Sequence, residues 1–272
     1  MPNSRRPPLR IAFVGWGAIA SRVAQLLGER HSNVELIGVA TRTEPVGEAA
    51  LARHVRWLAK PEALADLGAD MVIEAAGRAA VEPWGLAALQ HAGCFVVSST
   101  SAFCEAGILE RLEACAEQYG SQILVSPGAL AAIDALAAAS VLPLHKVTHR
   151  IVKPPAAWIG TPAETLIKLD MLTQGEVFFE GSARDAARQF PANANVAAIA
   201  ALAGLGLDQT RVQLVADPGT QHNGHQLLVE GEFGTLEMKI ENRALTANPK
   251  SSELTALALV RFIENRQAPL CL

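Results

Sequence analysis

The sequence predicts an α/β protein in which a doubly wound parallel sheet is followed by a second α/β domain carrying an open, mostly antiparallel sheet. Three observations predict it. A glycine-rich turn joins the first apolar run to a helical pattern, short apolar runs then alternate with helical patterns as far as about residue 140, and longer runs of apolar-polar alternation follow. With 272 residues, half of them hydrophobic, the chain exceeds one ordinary domain and can fill two cores.

In chain order, Met1 to Leu9 carries Arg5 and Arg6 but no apolar core of signal-peptide type, and it reads as a short flexible leader. Strands are expected at residues 10–14, 34–40, 71–75, 95–98 and 122–125, because these runs are apolar on both faces, as parallel strands covered by helices must be. Helices are expected between them at 18–30, 81–91 and 105–119. In the second half, strands are expected at 146–153, 176–181, 211–217, 225–231 and 235–241, with an alanine-rich helix at 195–206. A last helix at 251–266 starts from the capping signal Ser251-Ser252-Glu253-Leu254. The expected division is a first domain over 1–130 and a second over 131–245, with the terminal helix of about 246–272 a candidate to pack back on the first.

Bulk properties narrow the partners. Lys plus Arg total 23 against 27 Asp plus Glu, a formal charge of -4, so there is no basic field to hold nucleic acid. No apolar run reaches the roughly 18 residues that cross a bilayer, which predicts no membrane partner. Cys94, Cys104, Cys115 and Cys271 lie far apart without a CxxC pair, which fits a reducing, cytoplasmic setting. A metal centre is not expected: His222 and His225, three apart on a strand, face opposite sides, and no third ligand is near in sequence.

The strongest local signal is Arg10-Ile-Ala-Phe-Val-Gly15-Trp-Gly17-Ala-Ile-Ala20, a strand running into GxGxxA and a helix. Gly15 permits the tight turn, Gly17 lets backbone approach a pyrophosphate, and Ala18 and Ile19 open the helix whose N-terminus would face it. The small side chain of Ala20 allows close helix-strand packing. This is the dinucleotide-binding turn of a Rossmann fold. An acid about 20 residues on would bind the ribose of NAD, but Val39-Ala40-Thr41-Arg42-Thr43 has none, and Arg42 could pair with the 2'-phosphate of NADP; the cofactor is expected to be NAD or NADP. Later strand ends supply Glu74-Ala75-Ala76-Gly77, Ser98-Ser99-Thr100-Ser101 and Ser126-Pro127-Gly128-Ala129, with Ala76 and Ser99 as candidate cofactor contacts. Plain turn chemistry would give the same residues.

Beyond residue 140, His225 could exchange the proton that accompanies hydride transfer, since an imidazole titrates near neutrality. In His149-Arg150-Ile151-Val152-Lys153, strict alternation puts His149, Ile151 and Lys153 on one face and Arg150 on the other. Either Arg150 or Lys153 could hold a carboxylate.

With the glycine turn, Ser126-Pro-Gly-Ala129, Phe190-Pro-Ala-Asn-Ala-Asn195-Val-Ala-Ala and Asn223-Gly-His225 taken together, the chain resembles the L-aspartate dehydrogenases. The resemblance runs from the first strand to the segment Asn248 to Ser252. It implies aspartate or oxaloacetate plus ammonia as the small-molecule substrate, a homodimer, His225 as the catalytic residue, and dinucleotide contacts at Ala129 and Asn195. Lys153 is the candidate for the substrate carboxylates. Pro127 inside the Ser-Gly-Ala turn and the missing acid after the second strand depart from the pattern, and the latter leaves the choice of dinucleotide open. Two other readings are a dehydrogenase using a Cys104 thioester and a non-catalytic dinucleotide-sensing protein.

Overall fold

The glycine turn and its strands form the centre of the first unit. In the computed structural model, which describes residues 6–46 and 51–271, strands β1 (Leu9–Val14), β2 (Val34–Ala40), β3 (Arg56–Leu58), β4 (Met71–Glu74), β5 (Cys94–Val97) and β6 (Gln122–Val125) make one parallel sheet. Its order is β3-β2-β1-β4-β5-β6, so the chain winds outward in both directions from the β1/β4 junction, the switch point at which such sheets bind ligands. Every residue of β4 and β5 is buried, which is why these runs show no alternation in the sequence. Helices α1 (Ala18–Glu29), α2 (Arg78–His91) and α3 (Ile108–Tyr119) connect them. The first helix buries Ala20, Val23 and Leu27.

The second unit begins with α4 (Ile133–Ala139), followed by β7 (Leu144–Lys153), α5 (Ala163–Leu166), β8 (Glu176–Ser182), α6 (Ala183–Gln189) and α7 (Ala194–Ala203). Strands β9 (Arg211–Ala216), β10 (Asn223–Gly231) and β11 (Gly234–Asn242) complete a five-stranded sheet in the order β11-β10-β7-β9-β8. Three of its pairings are antiparallel and β7 with β9 is parallel, the expected mostly antiparallel sheet. Its core contains the fully buried Trp158, packed edge-on against Phe178 at 4.8 Å between ring centroids, with Phe190 close by. By contact density the chain divides into residues 1–126 with 255–272, and residues 127–254.

The last helix, α8 (Glu253–Asn265), returns to the first unit. Ala256, Leu259, Val260 and Ile263 are buried in one cluster with Ile11, Phe13, Val23 and Leu27. Its Glu264 carboxylate accepts from Arg30 Nε at 2.7 Å and from the Ser32 hydroxyl at 2.7 Å.

Several elements differ from the sequence expectation. The three-residue β3 carries too little pattern to be read. Helix α3 starts at Ile108 rather than at 105, because Gly107 sits in the left-handed region (φ 82°) and a short 3-10 turn, Thr100–Cys104, precedes it. Ser251 and Ser252 belong to a two-stranded ribbon, β13 (Asn248–Ser252) paired with β12 (Ala244–Leu245), although the Ser252 hydroxyl still accepts from Leu254 N at 3.2 Å. Helix α6 was not expected from the sequence; its N-terminus is capped by Ser182, whose hydroxyl accepts from Asp185 N at 3.1 Å. Of the expected flexible leader, residues 1–5 lie outside the described residues. The Arg6 and Pro7 carbonyls accept from Asn33 Nδ2, and Leu9 is already strand.

Candidate functional site

In the first unit the candidate site is the set of loops at the carboxyl ends of β1, β4 and β5. Gly15 adopts φ 93°, and a Cβ there would lie 2.7 Å from the Ala75 carbonyl oxygen and from Ala76 Cα, so two loops meet over a position that only glycine fills. Gly17 precedes α1 without a side-chain cap, and a Cβ on it would meet nothing within 4 Å. The N-terminal amides of α1, at Ala18 and Ile19, thus begin beside open space, the cradle a pyrophosphate requires. Those features fit a dinucleotide.

A residue to which the sequence reading gave no role organises these loops. Glu74, wholly buried at the end of β4, accepts from Ala76 N and Gly77 N at 2.8 Å each through Oε1. It also accepts from Ser99 N at 2.9 Å and from the Ser99 hydroxyl at 2.9 Å. Ala76 and Ser99 were read as candidate cofactor contacts, and their amides and the Ser99 hydroxyl are engaged by this carboxylate. The available signal was an acid closing the apolar run Met71-Val72-Ile73-Glu74. Arg42 is exposed in the bend after β2, where the Trp57 indole donates to the Thr41 carbonyl at 3.3 Å.

The second unit gathers the titratable groups. β10 lies antiparallel to β7 with His225 opposite Ile151 and Leu227 opposite His149, which puts both histidines on one face of the sheet at diagonal positions. His149 Nε2 lies 3.3 Å from His225 Nδ1, and both rings are buried. Burial holds His225 well below its ordinary range, with the neighbouring His149 and Lys153 adding to the effect; burial also pulls His149 down to about 4. Lys153 sits 4.9 Å above the centroid of the Trp158 ring, and burial lowers its ammonium to about 8. Arg150 projects elsewhere, donating to Gln226 Oε1 at 3.2 Å. Of the sequence-predicted residues, His225 and Lys153 therefore come together, while Arg150 does not join them and His149 is the member the sequence left unassigned.

Ala129 is half-buried, and its carbonyl accepts from Asn242 Nδ2 at 2.8 Å, which ties its turn to the end of β11. Asn195 is exposed in the first turn of α7. His222 lies before β10 and is exposed; among the described residues no group of three or more His, Cys, Asp or Glu side chains is placed to hold a metal ion. Cys104 is half-buried at the end of its 3-10 turn. Among the described residues no helix is long and apolar enough to cross a membrane.

The buried imidazoles make stability depend on pH. His149 takes up a proton near 6.5 in the unfolded chain but only near 4 in the folded one, so the unfolded state binds more protons between those values. Its contribution is complete above about pH 6.5 and is lost as the pH falls toward about 4. Denaturant unfolding at pH 5 should give a stability lower than at pH 7 by on the order of 2 kcal/mol, and the difference should shrink in His149→Phe.

Comparison with known proteins bears on both units. Residues 134–266 match the family model described as aspartate dehydrogenase, C-terminal, and residues 15–126 match the NAD-binding domain of homoserine dehydrogenase. The L-aspartate dehydrogenase of Brucella anthropi is 51% identical over 258 residues, covering 95% of this chain and 96% of that protein. The chain belongs to the L-aspartate dehydrogenase family. The Pseudomonas aeruginosa member is 44% identical over 263 residues, covering 94% of this chain and 97% of that protein. The crystal structure of aspartate dehydrogenase from Thermotoga maritima matches with a TM-score of 0.79 at 26% identity, covering 97% of this chain and 99% of that one. As an aspartate dehydrogenase family member, the chain is an NAD(P)-dependent oxidoreductase whose first unit is a Rossmann-type domain.

Proposed function

We propose that this chain catalyses the NAD(P)-dependent oxidation of L-aspartate to iminoaspartate, which water converts to oxaloacetate and ammonia, and the reverse reductive amination. The observation that carries this reading is a buried, neutral histidine, His225, in a chain that matches an L-aspartate dehydrogenase over 95% of its length. The bound dinucleotide supplies the acceptor for the hydride that leaves the α carbon. Hydride loss needs the amine lone pair, so the proton of the ammonium must first go to a base, and the nitrogen lone pair then closes the C=N bond as the hydride departs. His225, uncharged at neutral pH, is the proposed acceptor of that proton and, after releasing it to solvent, the base that activates the water attacking the imine. Lys153 is the proposed partner of a substrate carboxylate, held by its Trp158 platform.

The proposed dinucleotide contacts are the backbone at Gly15, Gly17, Ala18 and Ile19, the loops of Ala76 and Ser99, and Ala129 and Asn195. Arg42 is the proposed reader of a 2'-phosphate. The same reading places the enzyme in the cytoplasm as a homodimer, with its imine product available to pyridine nucleotide biosynthesis.

Following dinucleotide absorbance with aspartate, and with oxaloacetate plus ammonium, tests the proposal. Turnover on both is expected. Dinucleotide binding without turnover on these or a panel of oxo acids would indicate a sensor instead. In the same assay Arg42→Ala should raise KM for NADP more than for NAD, and an equal effect on both would remove Arg42 from cofactor choice.

A further inference from the structure

We propose that His149 is a positioning residue that directs proton exchange to Nε2 of His225 by engaging Nδ1 of the same ring. The inference rests on the reading of His225 as the proton-handling group and adds a second residue to it.

The pair is built on two internal strands of a five-stranded sheet, so neither ring's origin can drift far. The facing nitrogens are 3.3 Å apart, the ring centroids 5.3 Å apart, and the planes are inclined by 40°. That bond occupies Nδ1 of His225 and leaves its Nε2 for substrate. One proton lies between the two facing nitrogens, and its owner decides what His225 can do. If it belongs to His149, then neutral His225 carries its own proton on Nε2 and has no lone pair there to accept another. If it belongs to His225, then Nε2 is bare and His225 is a base, while the proton of His149 must sit on Nδ1.

His149 Nδ1 is buried with no hydrogen-bond partner among the described residues. A buried polar atom left unpaired in a native core calls for a reason. The contact with His225 supplies one: this nitrogen is unpaired whichever ring owns the shared proton, a cost that a purely structural core position would avoid with an apolar side chain, and in the proposed tautomer His149 accepts from His225 through Nε2. An uncharged partner at this place also differs from a carboxylate, because it orients the ring without holding a positive charge on it. Burial and the proximity of the two rings agree with a neutral pair.

Nitrogen-15 NMR of the histidine-labelled full-length protein reads the tautomer directly, assigned by comparison with His225→Gln. The expected spectrum places the proton of neutral His225 on Nδ1. His149→Phe, which keeps a ring but removes the acceptor, should lower kcat for aspartate by about 10- to 100-fold with KM for the dinucleotide unchanged. His149→Gln, whose amide oxygen can take the place of Nε2, should recover most of that loss and retain the Nδ1–H signal. A proton on Nε2 of His225 in the unmodified protein, or a His149→Phe variant with unchanged kcat, would overturn the proposal. Should the unmodified protein fail to oxidise aspartate at all, the underlying reading fails instead, and the NMR result still reports on the pair.

Discussion

Replacing His225 with alanine is expected to lower turnover of aspartate by about two to four orders of magnitude, the range associated with loss of a positioned general acid-base group. Dinucleotide affinity should stay close to that of the unmodified protein, because the glycine turn and the loops tied by Glu74 lie in the other unit. The substitution also strips His149 of its neighbour and leaves a second unpaired nitrogen in the core, with a stability cost of about 1–3 kcal/mol. Thermal melts separate the two effects: a folded, dinucleotide-binding variant with nearly normal turnover would show that another group moves the proton.

Glu74→Ala is expected to damage the first unit as strongly. Four donors now converge on one buried carboxylate: the amides of Ala76, Gly77 and Ser99 and the hydroxyl of Ser99. Removing it leaves them without an acceptor, which at about 1–3 kcal/mol for each buried unsatisfied group, taken as non-additive, suggests a total loss of roughly 3–5 kcal/mol. The Ala75-Ala76 backbone packs directly on Gly15, so loosening it disturbs the dinucleotide turn as well. Calorimetry should show dinucleotide affinity weakened by about 10-fold or more, each 1.4 kcal/mol being one decade. Ser99→Ala, which deletes a single donor, should do much less. Equal affinity in Glu74→Ala and the unmodified protein would show that the carboxylate serves packing alone.

The two histidines illustrate what one sequence can and cannot disclose. Apart from β3, the parallel sheet was legible because its strands are short and apolar with helical patterns between most of them, and the glycine turn announces its own backbone geometry. His225 stood out only through the family resemblance that Asn223-Gly-His225 helps to carry. His149 sat in a run of cations, and the alternation of β7 correctly grouped it with Lys153. Its meeting with His225 depends on the register between strands 76 residues apart, which no local pattern encodes. Glu74 was visible as a strand end, yet its four partners come from two separate loops. The link from Asn242 to the turn at Ala129 is hidden for the same reason. Short elements such as β3 and the β12-β13 ribbon carry too few residues for periodicity to speak.

The return of α8 to the first unit means that the second unit is inserted within the first, not appended to it. During synthesis, the face formed by Ile11, Val23 and Leu27 emerges from the ribosome long before Leu259 and Ile263 arrive to cover it. The nascent N-terminal segment must therefore wait, incompletely closed, while the whole insert is made. An isolated fragment ending near Ser126 would expose that face and aggregate more readily than the intact chain, whereas a permuted gene that places α8 ahead of β1 would let the unit close first.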